Sequence, residues 1–268
     1  MAYDAEPLLR RLELFDAIPQ EAKRAVRDLM PPAREVAKGD VLRKEGGGAE
    51  EFWLVAQGWF FDSSALADGG RQVYTIYQHG DVMGLQDRGW DVAVCDTTAA
   101  TAGSIVRIEK QAFRDVVAAF PVLGGYFLTY GIYDHTRLID RLRVVGRMEA
   151  SKRIAHFLCQ CWADQAEPDP LPDEGRFALP LDQHLIGDAV GLTNISVSRM
   201  MSELQRQGLA ERQGREVFVP DTERLKAFCD FKERRRAVPL SWVLDPQTGF
   251  VAAQEAPNGA RSRREAHR

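Results

Sequence analysis

The alternation of apolar and polar residues is clearest over residues 181–209, where it predicts two short amphipathic helices around a tight turn. The apolar positions of the first helix recur with the period of one helical face; they are Leu181, Leu185, Ile186, Ala189 and Val190. Gly191 follows, where a chain leaving a helix often needs positive φ, and Thr193 is placed to cap the second helix. The pattern predicts a helix-turn-helix, a motif that places its second helix in the major groove of DNA.

The second helix of this pair ends at Gly208 and divides its residues between two sides. The side chains predicted to pack inward are Ile195, Val197, Met200, Met201 and Leu204; those predicted to face outward are Asn194, Ser196, Ser198 and Arg199. Residues 209–213 and 216–220 then read as two strands around Gly214 and Arg215, although Phe218 interrupts the polar face. This order is typical of a winged helix with Arg215 placed to meet a phosphate, and the alternative is a helical hairpin that arises by chance.

The first half of the chain has a different pattern of apolar and polar residues. Residues 1–30 have a helical pattern that Pro31 and Pro32 end. Short β-like segments punctuated by glycine follow over residues 34–108, and examples are residues 40–43, 51–56, 73–77, 99–102 and 104–108. Many short strands with regular turns predict a sandwich or barrel.

A long helix is predicted between the two halves. Residues 111–120 form a short helix, and Pro121 opens a longer one that runs to about Gly146. Along it a heptad-like seam recurs at Leu128, Ile132, His135, Ile139 and Leu142. We expect this seam to pair with a second copy of the chain, the alternative being that it packs on its own β-domain. A further helix over residues 149–163 opens the C-terminal part.

Composition narrows the class of protein. A length of 268 residues suits two domains, and neither a run of eighteen apolar residues nor a signal-peptide pattern occurs, so no membrane partner is expected. The cysteines are few, as suits a cytoplasmic protein; they are Cys95, Cys159, Cys161 and Cys229. The net charge of −4 argues against nucleic-acid binding, but a binding face needs only local positive potential.

The order of roll, long helix and winged helix resembles the Crp/Fnr family of bacterial transcription regulators over roughly residues 12–231. The residues that carry the resemblance are 15–19, 38–40, 52–58, 80–84, 152–155 and 192–199. The resemblance implies an α+β fold: a cyclic-nucleotide-binding-like β-roll (a double-stranded jelly roll), a long dimerisation helix and a C-terminal winged helix-turn-helix. The expected divisions are 1–120, 121–147, 148–231 and a disordered basic tail at 232–268.

The ligand pocket departs from the family pattern at three places. Leu85 follows Gly84 where the family has a ribose-binding glutamate, and Ala93 and Val94 replace an arginine–serine pair. The adenine-facing pair on the long helix reads Leu138 and Ile139. We therefore expect a degenerate pocket that does not bind cyclic AMP, with Arg88 supplying charge in a shifted alignment as the alternative.

No cofactor or metal is expected. The family's iron–sulfur branch uses clustered N-terminal cysteines, and no cysteine precedes Cys95. Cys159 and Cys161 point to different sides of a predicted helix and read as structural thiols, while redox sensing by Cys95 or Cys229 stays open. His79 and His135 are candidate haem ligands, but their spacing does not support haem binding. The chain is similar to the FixK-like or effector-unknown branch.

The resemblance also implies how DNA is read. Arg199 matches the family's base-reading arginine, which suits guanine O6 and N7, and Ser198 matches a thymine-contacting serine. Ile195 replaces a cytosine-reading glutamate, so the half-site should differ there. The remaining candidate contacts to DNA are Thr193, Asn194, Ser196, Gln183, Arg153 and Arg215.

The expected partners are a palindromic double-stranded DNA site, a second copy of the chain and, for an activator, RNA polymerase. An enzyme with a cupin-like β-domain is disfavoured because such a site needs clustered His and Glu ligands, and His79 is the one histidine in that region. The remaining alternative is a family member that has lost DNA reading and acts through protein contacts. The replacement of the base-reading glutamate by Ile195 keeps this alternative open.

Overall fold

The structure, a computed structural model, describes residues 5–13, 17–165 and 173–234, without the side chain of Arg88. Its first half is a roll of two antiparallel sheets, as predicted. The strands are β1 Arg34–Val36, β2 Val41–Arg43, β3 Glu51–Gln57, β4 Phe60–Ala65, β5 Arg71–Tyr77, β6 Val82–Met83, β7 Asp96–Ala99 and β8 Gly103–Glu109. One sheet has the order β1-β8-β3-β6 and the other has the order β2-β7-β4-β5.

Strand β3 explains why its sequence is apolar at almost every position. Trp53 and Val55 face the interior of the roll, whereas Phe52 and Leu54 face the helices that cover it. Both faces of this strand are therefore removed from water, so its sequence does not alternate between apolar and polar residues. The covering helices are α1 Glu6–Glu13, α2 Gln20–Asp28 and α3 Lys110–Ala119.

Helix α4, Pro121–Arg147, runs from the roll to the second half of the molecule. Pro121 occupies its first turn, where a missing N–H costs nothing. One side of its N-terminal half is buried against the roll and α1, through Leu123, Tyr126 and Tyr130. Its other side is exposed and apolar, with Leu128 49%, Leu138 48%, Ile139 54% and Leu142 74% accessible.

The second half is a compact helical unit with a small sheet. Its elements are α5 Ala150–Gln165, β9 Gly175–Ala178, α6 Gln183–Val190, α7 Asn194–Arg206, β10 Glu211–Gln213, β11 Glu216–Val219 and α8 Thr222–Phe228. The sheet has the antiparallel order β10-β11-β9. Helix α5 lies at its centre, and Cys159 and Cys161 are both buried there.

The two halves are packed against each other through one continuous apolar core. Phe61, Val73 and Ile76 of the roll belong to the same buried cluster as the residues of α5, α6 and α7. At the edge of this contact, the Arg71 guanidinium donates to the Asp188 carboxylate at 2.6 Å. Such a partly exposed pair adds little stability, so the apolar contact carries most of the docking free energy.

The structure corrects several sequence predictions in the roll. The predicted strand 99–102 is wrong beyond Ala99, because residues 100–102 bend between β7 and β8. Strands β1, β4 and β6 were not predicted. Strand β4 was not recognised because Asp62 interrupts its apolar run. In the structure this carboxylate is buried and accepts hydrogen bonds from Tyr77, Gln86 and Thr97. The predicted N-terminal helix is two helices. Residues 1–4, 14–16, 166–172 and those beyond Arg234, which include most of the predicted tail, lie outside the described residues.

A first prediction concerns Gly187 in α6, because a Cβ there would lie 2.4 Å from the Leu192 carbonyl oxygen. Gly187→Ala should lower the free energy of unfolding by about 1–3 kcal/mol through this overlap. The matched control is Gly131→Ala in α4, where a Cβ meets nothing within 4 Å. That change should raise stability by up to about 1 kcal/mol, the helix-propensity gain over glycine. Urea unfolding of both variants is the measurement, and equal effects would contradict the packing argument.

Candidate nucleic-acid interface

Helices α6 and α7 are held at a fixed angle by their caps and by the turn between them. The Asp182 carboxylate accepts from Leu185 N at 2.9 Å, and Thr193 Oγ1 accepts from Ser196 N at 3.2 Å. Gly191 has φ +67° at the C-terminus of α6, a region that side chains with a Cβ avoid. The turn therefore forms where the sequence predicted it, with Thr193 as the cap.

Helix α7 buries one side and presents the other to solvent. Val197, Met201 and Leu204 are buried against the core, whereas Ser198 and Arg199 are exposed. Placing Ile195 among the inward-packing residues was wrong, because it is 77% exposed at the first turn. Ile195 precedes the packed stripe by two residues, a spacing that puts it on another side of the helix.

Arg199 is the accessible cation of this outer side. Across the described ranges, no carboxylate or carbonyl is recorded as a partner of its guanidinium. Arg206, two turns along the same helix, is instead bound to Glu203. All five N–H donors of Arg199 are thus free for a planar pair of acceptors.

A polar pair that the sequence did not predict lies at the start of α7. The Asn194 amide nitrogen is 3.2 Å from His184 Nε2, and His184 is exposed on α6. The Asn194 Oδ1 accepts from the backbone N–H of Ile195 at 2.9 Å. His184 has no distinguishing neighbour in sequence, so the contact between the two helices was needed to find it.

The hairpin beside α7 has the predicted position, with a third strand that the sequence missed. Gly214 turns with φ +62°, and Arg215 is exposed next to it at the tip. Strand β9 pairs with β11 and brings the Arg176 guanidinium over the Phe218 ring at 4.8 Å. This cation–π contact explains why an aromatic residue occupies the outer face of β11.

The predicted phosphate contacts Gln183 and Arg153 have different surroundings. Gln183 is exposed at the first turn of α6, where backbone N–H groups attract anions. Arg153 donates to the carbonyl oxygens of Met148 at 2.8 Å and Val190 at 3.5 Å. It lines a cavity between the two halves and lies on α5, away from the outer side of α7, and its role as a phosphate contact stays a prediction.

In the roll, an internal ion pair occupies the region beside Gly84. Arg43 Nη1 donates to Asp87 Oδ2 at 2.8 Å, and both side chains are almost fully buried. The other Asp87 oxygen accepts from Val94 N at 3.0 Å. A buried guanidinium that already holds a carboxylate has little capacity for a second anion.

The six residues predicted to form a degenerate ligand pocket are only partly brought together. Leu85, Val94 and Leu138 line the cavity between the halves, whereas Gly84, Ala93 and Ile139 do not border it. Leu85 and Ala93 are buried, and Val94 and Ile139 are about half exposed.

The cysteines and histidines are dispersed through the described parts of the chain, where no three metal-ligating side chains cluster. Burial raises the pKa of the Cys95 thiol. Contact with Cys229, at 3.9 Å between sulfur atoms, and burial raise the pKa of Cys159. His79 Nδ1 lies 2.7 Å from the Ala56 carbonyl oxygen, which fixes its ring. None of the described helices is long and apolar enough to cross a membrane.

Comparisons with known proteins agree with this architecture. A family model described as the cyclic nucleotide-binding domain matches residues 33–120, and one described as the Crp-like helix-turn-helix domain matches residues 152–228. The nitrogen fixation regulation protein FixK of Rhizobium meliloti (strain 1021) is 27% identical over 234 residues, which cover 85% of this chain and 99% of that protein.

Two further proteins extend the similarity. The transcriptional activator protein FnrA of Stutzerimonas stutzeri is 22% identical over 198 residues, which cover 74% of this chain and 80% of that protein. The solved structure of FixK2 from Bradyrhizobium japonicum aligns with a TM-score of 0.67 and 23% identity, covering 75% of this chain and 98% of that one. The chain belongs to the Crp/Fnr family of DNA-binding transcription regulators.

Proposed function

We propose that this regulator acts in the cytoplasm as a homodimer and reads a palindromic site through Arg199. The observation that carries the proposal is the exposed guanidinium of Arg199 on the outer side of α7, free of any acidic partner in the described ranges. A guanidinium presented this way pairs bidentately with guanine O6 and N7, which contributes about 1–3 kcal/mol of discrimination.

The residues around Arg199 divide into base contacts and positioning contacts. Ser198 lies beside it for contact with a thymine, and Asn194, with His184 against it, is placed for adenine. Thr193 and Ser196 hydrogen-bond to each other in the helix cap, and we place their hydroxyls beside backbone phosphates at the start of α7. Gln183 on α6 and Arg215 at the hairpin tip extend the phosphate contacts on either side.

The exposed side of α4 supports dimerisation. Leu128, Ile139 and Leu142 are about half to three-quarters accessible in one protomer, although they are large and apolar. Ile132 and His135 complete the same seam, and the buried residues of α4 lie on its opposite side. A second α4 packed along this seam removes the apolar surface from water and presents two α7 helices to half-sites about 34–36 Å apart. If the protein activates transcription, RNA polymerase is a further partner.

The control of this regulator is proposed to be independent of cyclic AMP and of an iron–sulfur cluster. Beside Gly84 the Asp87 carboxylate already holds Arg43, and Leu85 offers no acceptor to a ribose. The described side chains beside Gly84 therefore do not fit a cyclic phosphate. All four cysteines are buried and none precedes Cys95, so the clustered thiolates that such a cluster requires are missing.

One feature favours a second function. Ile195 exposes 77% of its surface at the first turn of α7, where it cannot hydrogen-bond to a base edge. An exposed apolar residue in this place suits contact with another protein. The second candidate is a family member that has altered its DNA reading and acts through such contacts.

The Arg199→Ala variant should lose affinity by about 5–150-fold for each half-site, which corresponds to one bidentate contact, and by the product of the two losses on a palindromic site bound by a dimer. Arg206→Ala is the matched control, because that arginine lies on the same helix but is bound to Glu203. It should retain affinity within about twofold at the same salt concentration. Electrophoretic mobility shift with selected DNA measures both, and equal binding by the two variants would favour the second candidate.

The Leu142→Glu variant should be monomeric, because a carboxylate would be buried at the C-terminal end of the seam, where the most exposed of its leucines lies. The control is Leu66→Glu, where the leucine is 49% exposed at the turn between β4 and β5. Sedimentation velocity should give a dimer for this control and for the natural protein. A Leu142→Glu dimer of unchanged affinity would contradict the seam.

The Ile195→Glu variant should shift the preferred base at one half-site position toward cytosine, because glutamate accepts from cytosine N4. Selection from randomised DNA shows the change. The natural protein and Ile195→Gln serve as comparisons, and the same selected motif in all three would show that residue 195 does not face a base.

A further inference from the structure

Two side chains at the start of α7 accept hydrogen bonds from backbone N–H groups of its first turn. Thr193 Oγ1 accepts from Ser196 N at 3.2 Å, and Asn194 Oδ1 accepts from Ile195 N at 2.9 Å. The first N–H groups of a helix have no partner within the helix, so these contacts satisfy two of them. The amide oxygen of Asn194 is therefore held by the helix itself.

The contact with Ile195 also fixes which way the amide of Asn194 faces. With its oxygen turned to the backbone N–H, the amide nitrogen lies 3.2 Å from His184 Nε2 on α6. An amide nitrogen only donates, so the imidazole nitrogen that faces it accepts and carries no proton. The reversed amide would place its nitrogen against the N–H of Ile195, where two donors would meet. Both contacts therefore select the same orientation of the amide.

The hydrogen-bonding capacity that remains on Asn194 is one donor and one acceptor. An amide side chain has two N–H donors and two oxygen lone pairs. His184 takes one N–H group, and the N–H of Ile195 takes one lone pair. The remaining N–H and lone pair match adenine, which presents N7 as an acceptor and N6–H as a donor in the major groove.

The same count disfavours guanine opposite Asn194. Guanine presents two acceptors in the major groove, N7 and O6. The one N–H group left by His184 can satisfy only one of them, and the amide oxygen would face the other. Two acceptors placed against each other leave both unpaired, which costs binding free energy. Without His184, both N–H groups become available, and this discrimination falls.

The packing of α6 against the turn holds the His184–Asn194 pair in place. Gly187 lies one helical turn after His184, and a Cβ there would lie 2.4 Å from the Leu192 carbonyl oxygen. The two helices are thus close together where the pair forms. Ser198, four residues after Asn194, is exposed on the same side of α7. The fixed amide is therefore next to a proposed base contact, and its orientation is set before DNA binds.

We propose that His184 determines specificity for adenine in each half-site, because it accepts from Asn194 and leaves that amide one donor and one acceptor. His184 acts through Asn194, so it is a positioning residue. The proposal rests on the DNA reading proposed for α7 and assigns part of that reading to α6. The competing role for His184 is direct contact with a phosphate, which adds affinity without sequence preference.

Selection from randomised DNA with the full chain and with Asn194→Ala identifies the position whose preferred base depends on this amide. Fluorescence anisotropy then compares labelled palindromes that carry adenine or guanine at that position. His184→Leu removes the acceptor and should lower the adenine-to-guanine affinity ratio at least about threefold for each half-site. On a palindrome bound by a dimer, the two losses multiply.

The conservative variant is His184→Gln, which places an amide oxygen near the position of Nε2. It should keep the adenine-to-guanine ratio within about twofold of that of the natural protein, since an acceptor is again available to Asn194. The double variant His184→Leu, Asn194→Ala should have the same ratio as Asn194→Ala alone, because His184 acts through that amide.

The matched control is Gln183→Leu, since Gln183 is the neighbouring exposed residue of α6. It should lose affinity for both palindromes by the same factor, as a phosphate contact carries no sequence information. An unchanged ratio in His184→Leu, or an equal loss on both palindromes, would overturn the proposal while the motif selected by the natural protein still supports DNA reading by α7. If the natural protein selects no motif, the proposed function is contradicted, and this proposal with it.

Discussion

Helix α4 imposes the constraint on which the rest of the structure depends. The helix has 27 residues, and the roll can pack against only one side of it. Residues on that side of its N-terminal half belong to the core of the roll. The exposed leucines and isoleucine remain on another side, and Arg137 and Arg141 point to the cavity on a third. The proposed dimer seam, the cavity-lining arginines and the connection to the DNA-binding half therefore all lie on one helix.

The roll and the DNA-binding half are joined by a packed apolar interface as well as by the chain connection between them. Phe61, Val73 and Ile76 of the roll share a buried cluster with α5 and α6, and Arg71 pairs with Asp188 beside it. At the far end, Arg234 forms two hydrogen bonds to the Asp140 carboxylate of α4, at 2.9 and 3.1 Å.

The sequence was informative wherever local chemistry decides structure. The cap at Thr193, the turn at Gly191 and the start of α4 at Pro121 each follow from a single residue type, and all three are found. Long-range contacts decided the rest. Strand β4 was missed because three distant donors satisfy Asp62, and strand β9 because it pairs with β11 across 40 residues.

The central claim is that α7 reads a palindromic DNA site through Arg199 in a dimer. Genome-wide occupancy, measured by crosslinking and sequencing of the natural protein and of Arg199→Ala, tests it most directly. The account predicts enrichment of a two-fold symmetric motif with half-sites about one helical turn apart, lost in the variant. The same motif at the same strength in both proteins would contradict it.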